Sequence, residues 1–281
     1  MAGDIPARLS RLHDECDDLL DRGQFDEALG VARRAYRLAS EHPVEIGQDL
    51  LVDTLYLYAQ LLVEADAPHE ALPIYDEVAR LAPDDPDLPL WRGIALVHLA
   101  RFDEAEEQLR QHRAEGEAVG DALWHLAILA EFRGDHAEAD ALFRRAHAAD
   151  PERFPSPVRM GADAVQRLLS QVIESLPDTV RAALGEVVIQ VEPLPDRALL
   201  CETDPPTSPF VLGLHIGVPW GDQSVFDTPQ HLNRILIFQR NIERIAADRE
   251  TLHEELRTTL LHEIGHHLGW DEDDLRARGL D

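Results

Sequence analysis

The second half of the chain changes its hydrophobic rhythm several times. In DAVQRLLSQVIESLP, Val165, Leu168, Leu169, Val172 and Leu176 recur at helical spacing. DTVRAALG continues helical and should stop at Gly185. EVVIQVEPLP alternates and is rich in Val and Ile, which predicts a strand, and FVLGLHIGVP and RILIF predict two more. The run RNIERIAADRETLHEELRTTLLHEIGHHLG is too long for one helix, and Asp248, with Thr251 close by, is placed to cap a second. Leu261, Ile264 and Leu268 then fall at i, i+3 and i+7, a face that would bury that helix. These elements predict a small α+β domain, a short sheet followed by a long helix.

The first half has one rhythm, repeated. QFDEALGVARRA, PHEALPIYDEVARLAP, RFDEAEEQL and DHAEADALFRRAHAADP align on Ala28, Ala71, Ala105 and Ala139, spaced 43, 34 and 34 residues. Trp91, Gly93 and Phe102, then Trp124, Ala127, Gly134, Phe143 and Ala146, supply large and small residues in matching places. Small residues let two helices approach, and large ones fill the gap to the next pair. Pro83 and Pro151 stand where a second helix should end. A period of ~34 residues is that of helix–turn–helix repeats. Residues 9–151 resemble the tetratricopeptide repeat family, with about four repeats and a longer junction, SEHPVEIGQDL, after the first. That resemblance implies an α-helical solenoid whose groove binds a protein or peptide partner.

Pro151, Pro155 and Pro157 interrupt helix and end the repeat phase. The expected division is a repeat domain over 1–151, a linker over 152–158 and the α+β domain over 159–281. The chain of 281 residues is long enough for both, and 44% hydrophobic residues suffice for two cores. Net charge is −28, and every basic residue is arginine. So acidic a surface repels nucleic acid and anionic lipid, so neither is an expected partner. No apolar run approaches the ~18 residues of a membrane span. MAGDIPARLS has no apolar signal core, and Cys16 and Cys201 lie in different domains. A cytoplasmic protein with two reduced thiols is expected.

Chemistry concentrates in LLHEIGHHLGWDEDD, from Leu260 to Asp274. His262, Glu263 and His266 form H-E-x-x-H, which on a helix sets both imidazoles on one face. Two such nitrogens can share one Zn2+, which in catalytic sites keeps three protein ligands and an open position. The ion brings the pKa of a water to ~7, and Glu263 is placed as the general base. Gly269 lets the backbone reverse, which makes Glu272 the expected third ligand, with Asp271 or Asp273 as alternatives. His267 is not expected to be a ligand. His215 is placed to approach from the sheet as an electrophile or substrate contact, or simply to lie half buried beside its strand. The edge strand for an extended substrate would come from Phe210–Ile216 or Ile235–Phe238. The bland alternative for the whole motif is a solvated helix with scattered histidines, since the chain holds 14.

Three segments, LHEIGHHLGWDEDDLRARGL, GLHIGVPW and NRILIFQRNIER, resemble a family of minimal bacterial zincin-like metallopeptidases over roughly residues 165–281. The resemblance implies zinc on His262 and His266, catalysis by Glu263, and an acidic ligand in the Asp271–Asp273 region. No methionine follows the motif to support the metal as in metzincins. The sequence thus predicts a zinc-dependent peptidase whose repeats recruit a peptide or protein. The alternative is a non-catalytic repeat adaptor with a vestigial or structural metal.

Overall fold

The computed structural model describes residues 4–112, 118–185, 187–218 and 233–280. By packing, the chain divides into two compact units, Met1–Leu142 with Cys201–Ser208, and Phe143–Leu200 with Pro209–Asp281.

In the first unit the repeated phrases become antiparallel helix pairs. They are α1 (Ile5–Asp21) with α2 (Phe25–Glu41), α4 (Gln48–Glu64) with α5 (Pro68–Leu81), and α6 (Leu88–His98) with α7 (Phe102–Gln111). The fourth phrase forms α8 (Ala118–Phe132) and α9 (His136–Ala149). A short α3 (Pro43–Ile46) fills the long junction. Consecutive pairs pack through α2 on α4, α5 on α6 and α7 on α8. The aligned Ala28, Ala71, Ala105 and Ala139 are all fully buried, because a larger side chain there would hold the paired helices apart.

The turn inside each pair is the same device four times. Five residues before each aligned alanine the backbone is left-handed, at Gly23 (φ 70), Asp66 (φ 55), Ala100 (φ 53) and Gly134 (φ 78). The next amide then reaches back five residues: Gln24 to Leu19, Ala67 to Leu62, Arg101 to Leu96 and Asp135 to Ala130, at 2.8–3.0 Å. This is the Schellman ending, which satisfies carbonyls that the helix leaves open. Only two of the four positions carry the glycine that this backbone favours.

The second unit takes in the end of α9 from Phe143 and continues with α10 (Ala162–Ser175) and α11 (Asp178–Leu184), which ends at Gly185 as predicted. Three strands follow, β1 (Val188–Glu192), β2 (Gly213–Ile216) and β3 (Arg234–Phe238), with α12 (Arg197–Leu200) between the first two. The order is β1-β3-β2, with β1 parallel and β2 antiparallel to β3. The central strand reads RILIF and is buried from Ile235 to Phe238, as a strand covered on both faces must be. The FVLGLHIGVP strand is shorter than expected. The carbonyls of Pro209 and Val211 bond the buried Asn241 side-chain amide at 2.9 and 2.6 Å instead of a neighbouring strand. Pro219 and Trp220, at the other end of this segment, lie outside the described residues.

The long run divides into α13 (Gln239–Ile245) and α14 (Arg249–His267). Asp248 caps α14 as expected, accepting from the Thr251 amide at 2.8 Å and its hydroxyl at 3.0 Å. The buried stripe of α14 differs from the predicted one. Leu252, Leu256, Leu260 and Ile264 form it, joining Val165, Leu169 and Val172 of α10 and Ile235 and Ile237 of β3. Leu261 and Leu268 are only half buried at its margin. The stripe advances by four residues at a time, so it leans across the helix, and this rotation turns Glu263 inward. After Gly269 a last turn, α15 (Glu272–Arg276), closes the unit. Cys16 and Cys201 are free thiols, and both group with the first unit rather than with different ones as expected. No helix among the described residues is long and apolar enough to cross a membrane.

The turns give a paired prediction. Gly30 and Gly134 each have open space where a Cβ would stand, but Gly30 is mid-helix and Gly134 has φ 78. Gly30→Ala should stabilise the repeats by about 0.5–1 kcal/mol, and Gly134→Ala should destabilise them by about 1–2 kcal/mol. Urea unfolding followed by circular dichroism reads both, and equal signs would refute the turn assignment.

Candidate metal centre

α14 carries His262, Glu263 and His266 on its last turns, and its end is fixed by hydrogen bonds from Gly269 N–H to His266 O and from Trp270 N–H to Gly265 O, both 3.0 Å. Gly269 has φ 86, the left-handed residue that reverses the chain. Residues 270–280 therefore fold back over the helix that precedes them.

The consequence is an arrangement of donors and acceptors that fixes both imidazoles. His262 Nδ1 lies 2.6 Å from Leu280 O, and His266 Nδ1 lies 3.2 Å from Trp270 O. A carbonyl only accepts, so each Nδ1 carries the hydrogen and each neutral ring keeps its lone pair on Nε2. The two Nε2 atoms face one another at 3.0 Å. In these neutral tautomers neither donates to the other, so the contact is satisfied either by a proton on one ring or by a metal ion between the two. Glu272 Oε1 stands 3.5 Å from His266 Nε2. One donor atom from each of His262, His266 and Glu272 can be chosen so that all lie within 4.8 Å of one another. Imidazoles held through Nδ1–H by backbone carbonyls are what a metal's ligands need behind them.

The three predicted acids separate by what else they do. Asp271 caps α15, accepting the Asp274 amide at 2.9 Å. Asp273 pairs with Arg276 at 2.8 Å and its side chain is 92% exposed. Only Glu272 is brought to the histidines.

Glu263 lines the same side of the domain as the histidines but lies against β2, and is 5% exposed. Burial pushes its pKa up to about 7, against the lowering effect of His262 and of the His215 backbone N–H that the carboxylate accepts. Nearby Glu272 adds to the rise. The approach to β2 is possible only at a glycine: a Cβ on Gly213 would stand 2.8 Å from Glu263 Cγ and Oε1. A cleft of about 510 Å³ opens here, lined by Gly213, His215, His262, Glu263, His266 and Trp270 among others.

His267 is buried, with Nε2 3.1 Å from Ala183 O and Nδ1 3.3 Å from His215 Nε2. The Ala183 carbonyl requires Nε2–H, so His267 Nδ1 accepts and His215 Nε2 donates. Burial, then His267 and His266, lower the His215 pKa to about 4. A neutral His215 in this tautomer has only an acceptor left at Nδ1, which does not suit the expected electrophilic role. It lines the cleft all the same. Of the two expected edge strands, Ile235–Phe238 is the central strand β3, paired on both sides, whereas β2 pairs only with β3 among the described residues.

Several groups that shape the centre had no signal in the sequence. The carbonyls of Trp270 and Leu280 and the amide of His215 are backbone groups that any residue carries. Gly213 and Gly265 are visible as glycines, but their role depends on what approaches them.

Two family models match parts of the chain. Residues 184–280 match the family described as zincin-like metallopeptidase. Residues 52–131 match the tetratricopeptide repeat. No curated protein matches the chain. Among solved structures, it is similar to the protein titled MamA RS-1 ArsTM double mutant, with 20% identity over 54% of this chain and 79% of that one, at TM-score 0.39. It is also similar to YrrB, titled a TPR protein with an unusual peptide-binding site, with 18% identity over 48% and 83%, at TM-score 0.31. A third, MamA MSR-1 C2, has 21% identity over 52% and 98%, at TM-score 0.31. The chain thus carries, in order, a tetratricopeptide repeat region and a zincin-like metallopeptidase domain.

Proposed function

We propose that this protein is a zinc-dependent peptidase, with zinc on His262, His266 and Glu272, Glu263 as general base, and the repeat region recruiting a protein or peptide. The observation that carries the reading is the pair of Nε2 lone pairs at 3.0 Å, each fixed by a carbonyl behind it. Two imidazoles and a carboxylate are a donor set that suits zinc and leaves room for a fourth position. Bound there, zinc supplies Lewis acidity, polarising a carbonyl and bringing the pKa of a water to ~7.

The chain's own residues do the rest. The Glu263 carboxylate is aimed into the cleft by the His215 amide and by contact with Gly213. Burial raises its proton affinity, so it takes a proton from the attacking water, holds it, and passes it to the leaving amine. The side of β2 left without a partner among the described residues lies along the cleft and offers backbone groups to an extended peptide. The match to tetratricopeptide repeats supports a partner-binding role for the helical unit.

Three variants separate the roles. Glu263→Gln should keep zinc, measured by elemental analysis, while cleavage of a denatured protein substrate falls by about 10²–10⁴-fold. If wild type and variant behave alike across a broad peptide library, a repeat adaptor with a structural metal is the better reading. Glu272→Ala should lower zinc affinity by at least ~10-fold, and Asp273→Ala should leave it unchanged. The reverse order in a chelator competition would assign the third ligand to Asp273. Gly213→Ala should retain metal and lose about 10²-fold in kcat, because the new methyl displaces the Glu263 carboxylate. Full activity would show that the carboxylate does not need its place against β2.

A further inference from the structure

Residues 270–280 do three things at one place. Trp270 and Leu280 supply the carbonyls that hold His266 and His262, and Glu272 turns its carboxylate to His266 Nε2. None of these groups would stand where it does unless the whole segment were pressed onto α14. Two left-handed glycines shape it. Gly269 (φ 86) reverses the chain after α14, and Gly279 (φ 68) reverses it after α15. The second reversal lets Leu280 N–H bond Leu275 O at 3.1 Å while the Leu280 carbonyl faces His262.

Leu275 presses the segment down. Its side chain is fully buried, and it sits over Gly265, the residue between the two halves of the metal motif. A Cβ on Gly265 would collide with Leu275 Cδ2 and lie 2.9 Å from Trp270 Cε3. Gly265 is therefore a notch in the face of α14 that receives Leu275 and the Trp270 ring. On the outside, the Arg278 guanidinium stacks on Trp270 at 4.2 Å.

We propose that residues 269–280 act as a strap that assembles the metal centre, with Leu275 and Gly265 as its positioning residues. This rests on the metal reading above. Neither the Leu275 side chain nor Gly265 offers a metal a donor atom. They act by delivering two carbonyls to the far sides of the imidazoles and one carboxylate to the near side. Two of these three deliveries are backbone groups, so no side-chain substitution at Trp270 or Leu280 removes them, and seating of the strap is what controls them. A metal that binds the seated strap better than the lifted one must stabilise the seating in return.

The test uses the full chain freed of metal. In chelator competition, Leu275→Ala should bind Zn2+ about 10–100-fold more weakly, although every ligand is intact. Leu275→Met, which conserves volume, should restore most of the affinity. The visible spectrum of the Co2+-loaded protein should change in Leu275→Ala and return in Leu275→Met, a response that general loosening of the fold would not give. In the wild type, where no variant needs to fold, Zn2+ should slow amide exchange across residues 269–280 and leave α10 unaffected. Leu275→Ala binding Zn2+ with wild-type affinity and spectrum, or strap exchange indifferent to Zn2+, would overturn the strap and leave the peptidase reading standing. A wild type that takes up neither ion would overturn both.

Discussion

Two imidazole nitrogens, both left without a hydrogen by what lies behind their rings, face each other at 3.0 Å. The constraint comes from carbonyl groups, which accept and never donate. With Leu280 O holding one Nδ1–H and Trp270 O the other, the tautomers of His262 and His266 follow, and with them the direction of both lone pairs. An unpaired acceptor costs about 1–3 kcal/mol when buried, and less at half-buried rings such as these. Zinc held by protein ligands returns roughly 10–16 kcal/mol in structural sites. On the proposed reading a metal ion takes up both lone pairs, and the rest of the domain can be understood as holding this pair in place.

The supports come from different levels of structure. The stripe of Leu252, Leu256, Leu260 and Ile264 fixes the rotation of α14, which sends His262, His266 and Glu263 to the cleft, with Glu263 against β2. The Asp248 cap fixes where the helix begins, and Gly269 fixes where it ends. Gly213 lets the sheet come close enough for a main-chain amide to reach the Glu263 carboxylate. A buried carboxylate beside two lone-pair donors has its pKa moved by its surroundings, here upward to about 7. Glu263 and the two histidines therefore differ in environment although they are neighbours in sequence.

What the sequence could show follows from what each feature depends on. Helix pairs, their period and their buried alanines were legible because small and large residues must recur where helices meet. The cap at Asp248 and the turn at Gly269 were legible because they are chemistry of single residues. The buried stripe was misplaced to Leu261 and Leu268, because in this helix several leucines sit on neighbouring faces and only the sheet decides which face is covered. The strand at FVLGLHIGVP was drawn too long, because nothing local announces that the Asn241 amide, thirty residues away, takes the carbonyls of Pro209 and Val211. Spacing put Glu272 first among three adjacent acids without excluding Asp271 or Asp273. In the structure Asp271 is occupied as a cap and Asp273 with Arg276, which leaves Glu272. The carbonyls of Trp270 and Leu280 were out of reach of any reading of side chains.

The most direct measurement of the central claim is anomalous diffraction at the zinc edge from crystals grown without added metal or a histidine tag. The account predicts one peak between His262 Nε2 and His266 Nε2, within bonding distance of a Glu272 oxygen and with one coordination position open to solvent. No peak there, or a cation closed off by four protein ligands, would contradict it.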